Sequence, residues 1–116
     1  MKGLILALLV LAPFQAAAEA CDGTYRGIVT VRYMQRQDSQ NTIEFTVKDG
    51  QLSGTYRAYS LTYPVRGAVG EGCRITGGQA YSTGAPGPFP MVGTVAEGKL
   101  MRGDPYRIEY SAKKIN

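Results

Sequence analysis

A chain of 116 residues holds one domain and no more. Its apolar fraction of 44% excludes intrinsic disorder. A net charge of +4, with no block of like charges beyond Lys113-Lys114, excludes a nucleic-acid groove.

In chain order, the first element is an export leader. Met1-Lys2 gives a positive start, Gly3 to Ala12 is an almost unbroken apolar run, and Pro13 ends it ahead of the small-residue zone Ala16-Ala17-Ala18-Glu19-Ala20. The run falls short of the ~20 apolar residues that a membrane span needs. Residues 1–20 are therefore predicted to be a signal peptide, cut after Ala18 or Ala20. Residues 21–116 are predicted to form one exported domain, periplasmic or secreted, with no transmembrane span. Losing Lys2 and Glu19 with the leader leaves the net charge at +4.

Cys21 and Cys73 are the only cysteines, and an even count in an oxidising compartment predicts one disulfide. Closing that loop stabilises a chain this small by about 4 kcal/mol in the chain-entropy model. Cys21 also stands where a lipoprotein cysteine would. However, Ala18-Glu19-Ala20 lacks the expected leucine and carries an acid, so the bridge is preferred to lipidation.

The exported part reads with a period of two throughout. Tyr25, Gly27, Val29, Val31 and Tyr33 share one face, with Ile28 the apolar exception on the other. Ile43, Phe45 and Val47 continue the inner face, followed by Leu52, Gly54, Tyr56 and Ala58, and then by Tyr63, Val65, Gly67 and Val69. Cys73, Ile75 and Gly77 extend it, with strand five opening at Cys73. Phe89, Met91, Gly93 and Val95, then Leu100, then Tyr106, Ile108 and Tyr110 complete it. No stretch carries a helical period. Asp49-Gly50, Glu71-Gly72 and Glu97-Gly98 separate strand-like runs as hairpin turns, because glycine accepts the positive φ that primed turns require.

Eight short strands joined by hairpins, with one inner face, predict an all-β antiparallel up-and-down barrel. A two-sheet β-sandwich is the alternative. Alternating strands put the three acid-glycine turns at one tight end, where Cys21 and Cys73 also fall. The connections Met34–Asn41, Ser60-Leu61, Gly78–Pro88 and Gly103–Pro105 fall at the looser end. Tyr33, Tyr56, Tyr63, Phe89 and Tyr106 gather there in the inward phase and are the candidate ligand-binding residues. Core filling is the plainer explanation of the same tyrosines.

Catalytic and metal chemistry find little support. The chain has no His to act as the base of a triad, its cysteines are expected to be bonded, and no zinc-ligand cluster exists. No enzyme activity, metal or cofactor is expected. Gly93–Lys99 matches a phosphate-binding loop only until Leu100 replaces the required Ser or Thr. Arg102-Gly103-Asp104 spells an integrin-binding tripeptide, but the following Pro105 makes it a turn. The outward arginines at 26, 32, 57, 66, 74 and 107, partly balanced by Glu44 and Glu109, form a solvated wall or a surface for an anionic envelope component.

Gly23-Thr24-Tyr25, followed by Asp49-Gly50-Gln51-Leu52-Ser53-Gly54-Thr55-Tyr56, resembles the avidin and streptavidin family. That family opens with Gly-Thr-Trp and then shows Asp-Gly-x-Leu-x-Gly-Thr-Tyr. The resemblance covers about the first third of the exported part and implies a secreted eight-stranded barrel with a ligand pocket at one mouth. Tyr56 matches a family position that hydrogen-bonds biotin. Tyr25 stands where the family has Trp, Gly27 and Val31 replace polar biotin ligands, and no Trp is present, so the resemblance supports the fold and argues against biotin.

The expected function is a non-enzymatic envelope or secreted binding module of unknown ligand, with its site at the loop-rich rim, the open candidates being a small molecule there or an anionic envelope component. The alternative is a protein inhibitor of an exported hydrolase, a role resembling that of the small periplasmic barrels that block lysozyme. The basic charge of this chain makes a basic lysozyme an awkward target.

Overall fold

The alternating runs form eight strands: β1 (Gly23–Tyr33), β2 (Arg36–Lys48), β3 (Gln51–Ala58), β4 (Leu61–Val69), β5 (Arg74–Ala80), β6 (Phe89–Thr94), β7 (Glu97–Leu100) and β8 (Tyr106–Lys114). The computed structural model describes residues 20–33, 36–59, 61–81, 87–103 and 106–116. Residues 1–19 of the leader predicted over 1–20, most of the proline-broken tip at Gly84–Pro88, and Asp104 of the Arg-Gly-Asp tripeptide lie outside the described residues.

Each strand pairs antiparallel with the next, and β8 returns to β1 to close an up-and-down barrel. The closing seam runs from Tyr25 opposite Lys114 to Tyr33 opposite Tyr106. Closure excludes the two-sheet sandwich and is compatible with a streptavidin-like fold. Among the described residues no helix is long and apolar enough to cross a membrane.

Most of the predicted inner face fills the barrel, while Gly93, expected inside, is exposed at φ 116°. Val29, Ile43, Phe45, Val47, Leu52, Val65, Met91 and Leu100 are all at most 2% exposed and form one continuous cluster. Tyr25 stacks on Phe45 at 5.4 Å between ring centres, and Tyr110 meets Phe45 edge-on at 6.3 Å. Inward glycines let the wall coil this tightly. A Cβ at Gly54 would run into the Glu44 carbonyl oxygen and the Phe45 Cα on β2. Only a residue without a side chain lets those two strands approach there.

Four local readings are corrected. Residues 36–41 are strand and not the predicted loop, so β2 begins at Arg36, close after β1 ends at Tyr33. Arg36-Gln37-Asp38-Ser39-Gln40 carries no apolar alternation to announce a strand, and a register shift between Val29 and Val31 interrupts the pairing. Cys73 closes a short 3₁₀ turn, Glu71–Cys73, so strand five opens at Arg74. A second bulge between Ile75 and Gly78 slips the phase by one. Gly77, expected inside, is exposed at φ 61°, while Gly78 and Ala80 take the inner positions. Finally, Glu97 and Gly98 belong to β7, and the turn is Val95-Ala96. Thr94 holds that turn: its hydroxyl accepts from the Glu97 N–H at 3.2 Å, and buried Val95 donates its N–H to the Cys73 carbonyl at 3.0 Å.

The tight end is stapled. Cys21 and Cys73 form a disulfide across it, with Cα atoms 5.5 Å apart. The Cys21 sulfur is thereby engaged, so a lipid thioether on it does not fit this fold. The Tyr25 hydroxyl donates to the Cys21 carbonyl at 2.8 Å, and the Asp22 carboxylate accepts from the Asp49 N–H at 3.2 Å. The residues before β1 are thus pinned to the 3₁₀ turn ahead of β5 and to the β2–β3 turn.

Candidate functional site

The opposite end is a cup. A cavity of about 560 Å³ opens there, lined by Val31, Tyr33, Asn41, Tyr56, Ala58, Tyr59, Leu61, Tyr63, Arg102, Tyr106 and Ile108. Two larger hollows lie on the outer wall, one over Ile28, Val92, Lys99 and Glu109, the other across β1 to β3. Neither is a candidate, because among the described residues the one buried side chain left with an unpartnered polar atom, Asn41, lines the cup instead.

The cup's walls are two tyrosine pairs set by strand register. Tyr33 on β1 lies opposite Tyr106 on β8, with ring centres 5.0 Å apart. Tyr56 on β3 lies opposite Tyr63 on β4, stacked at 5.4 Å. Four of the five aromatic residues singled out in the sequence therefore line one cavity. Phe89 does not. It is buried behind Tyr63 and meets that ring edge-on at 5.9 Å, so it supports the wall without reaching the opening. Arg102 adds a cation at the rim, its guanidinium carbon 4.3 Å from the centre of the Tyr106 ring. Such stacking holds the arginine in place while leaving its N–H donors available.

Asn41 supplies the polar floor. It is 1% exposed, the only buried polar residue among those described. Its Oδ1 accepts from the Tyr59 N–H at 3.3 Å, and that bond fixes which way the amide points. Its Nδ2 has no hydrogen-bond partner. A buried donor left unpaired costs about 1–3 kcal/mol. A carbonyl or carboxylate oxygen entering the cup would recover that cost.

Comparison with family models, curated proteins and solved structures finds no match. The site therefore stands on its own geometry.

Asn41 was misplaced by the sequence reading because it was assigned to a loop. The signal was present: Asn41 stands one step before Ile43, Phe45 and Val47 in the same phase. Leu61 carried the same signal, one step before Tyr63 and Val65 at the start of β4, whereas Arg102 and Tyr59 had none, since they sit outside the strands where no period operates. Two buried tyrosines with raised phenol pKa, Tyr110 and Tyr25, lie elsewhere. Burial raises the phenol pKa of Tyr110, and burial with the nearby Asp22 charge raises that of Tyr25. Both hydroxyls are satisfied by backbone, Tyr110 donating to the Thr94 carbonyl and Tyr25 to that of Cys21.

Proposed function

We propose that the domain is an exported, non-enzymatic binding module whose cup holds a small molecule. The ligand would have a flat or apolar body lying between the tyrosine pairs and an oxygen acceptor reaching Asn41. The observation that carries this reading is the buried, unpartnered Asn41 Nδ2 in a tyrosine-lined cavity. Below the cup the interior is packed, so the ligand would enter only the upper part of the barrel. Export is supported by the apolar leader in the sequence and by the disulfide. A non-enzymatic role is supported by the absence of His and by the bonding of both cysteines. The avidin-like hairpin motif ending at Tyr56 agrees with a site at this mouth.

Native mass spectrometry of the protein recovered from its own producing cells tests the proposal. A small-molecule adduct is expected on the wild type and is expected to vanish in Asn41→Leu. An adduct retained by Asn41→Leu and by Tyr56→Ala, or none on the wild type, would defeat it.

A further inference from the structure

The charge and the exposed apolar residues of this barrel are both unevenly placed, and they fall at the same end. Eight large hydrophobic residues are exposed among those described, and five of them fall at the cup end: Tyr33, Tyr59 and Leu61 line the cup, and Tyr81 and Met101 follow the ends of β5 and β7. Tyr59 and Leu61 are the most prominent, at 70% and 57% exposure. Tyr59 occupies its turn with φ at 59°, a conformation that disfavours a bulky side chain. Glycine would sit there without strain, yet the position carries an aromatic ring projecting from the rim.

Arginines flank this collar. Among the described side chains, the strand ends and connections of the cup end carry Arg32, Arg57, Arg102 and Arg107. The other described side chains from residue 21 onward are nearly balanced, seven basic against six acidic. Arg32 lies directly opposite Arg107 on the β1–β8 seam. Like charges so placed repel one another and are destabilising unless an anion screens them. Neither they nor Arg57 pair with any described carboxylate, whereas Arg26 on the wall is matched to Glu44 at 3.2 Å.

We propose that the cup end docks onto an anionic lipid surface. Tyr33, Tyr59, Leu61 and Met101 would enter the headgroup boundary, and Arg32, Arg57 and Arg107 would meet lipid phosphates. Tyrosine and arginine suit that boundary because each presents an apolar body and a polar tip. Anionic lipid attracts each nearby cation, and a few inserted apolar side chains then hold the contact. Docking also brings the mouth of the cup against the bilayer. This inference is independent of what the cup binds, and survives if no small-molecule ligand is found.

The test is co-sedimentation of the protein with vesicles of phosphatidylcholine alone and of phosphatidylcholine mixed with phosphatidylglycerol. Binding is expected only to the mixed vesicles and is expected to weaken as salt rises. Arg32→Gln and Arg107→Gln should each reduce partitioning about fivefold. Leu61→Asn and Tyr59→Gly should each reduce it several-fold while leaving the thermal transition in place. Lys113→Gln with Lys114→Gln, at the tight end, should change it little. Equal loss from the tight-end pair would overturn the proposal, as would no binding to the mixed vesicles at low salt. Binding to soluble polyglutamate with none to vesicles would also overturn it, in favour of a polyanion.

Discussion

Removing the disulfide separates the two ends of the barrel experimentally. The perturbation is Cys21→Ala with Cys73→Ala. The bridge joins positions 52 residues apart, and a loop of that length confines the unfolded chain by about 4 kcal/mol. A domain of this size has roughly 5–15 kcal/mol in total, so the loss is a large share of it. For a chain near 100 residues, the midpoint of thermal unfolding should fall by roughly 20 °C. Calorimetry and circular dichroism on the variant, and on the wild type with a reductant, measure the fall. Because the bridge lies at the end away from the cup, any ligand or vesicle binding measured well below the lowered midpoint should be unchanged. A drop below about 1 kcal/mol would show that the hydrogen bonds of Tyr25 and Asp22 hold the segment without the bridge. Loss of binding in a still-folded variant would refute the independence of the two ends.

Other outcomes follow from the same geometry. Asn41→Leu removes a buried unpaired donor and, in the ligand-free protein, should leave stability unchanged or raise it by about 1 kcal/mol, read by urea denaturation. Because the substitution also takes the Oδ1 acceptor from the Tyr59 N–H, only a loss larger than that one hydrogen bond, beyond about 1.5 kcal/mol, would mean that Nδ2 is satisfied after all. Gly54→Ala should cost about 2 kcal/mol or more, because its Cβ meets β2 backbone. Gly70→Ala, in open space at φ −111°, should change stability by less than about 0.5 kcal/mol. Tyr110 and Tyr25 hold their phenol protons more tightly folded than unfolded. Stability should therefore be insensitive to these groups up to the ordinary phenol value of 10.0 and fall as pH rises beyond it. Tyr110→Phe should flatten that alkaline fall in a pH series of urea midpoints.

Much of the wall was legible because a strand with one buried face must alternate. Ile43, Phe45 and Val47, Leu52 and Tyr56, and Ile108 and Tyr110 all took their expected inner places. The reading failed where alternation itself failed. The polar opening of β2 carried no apolar marker, and the bulge at Gly77-Gly78 exchanged inside for outside within one residue. Glu97-Gly98 has a turn's composition but lies in β7, because Thr94 already closes the bend two residues earlier. The four paired tyrosines of the cup, Tyr33, Tyr56, Tyr63 and Tyr106, were legible by the same rule as the wall, and Tyr59 in its turn was not. Asn41 shared that phase but lay behind a polar stretch that hid the start of its strand, and Arg102 acquires its role only when distant segments meet at one rim.

The β1–β8 seam limits how anything can attach to this protein. Its backbone donors and acceptors are spent on one another around the full circle of strands. A partner cannot lengthen the sheet by adding a strand of its own, the route by which open-edged domains capture extended peptides and by which many aggregate. Recognition is left to side chains, and those offering both apolar surface and unmatched charge are concentrated at one rim. Mutation there can change specificity while the hydrogen-bonded ring beneath it stays intact.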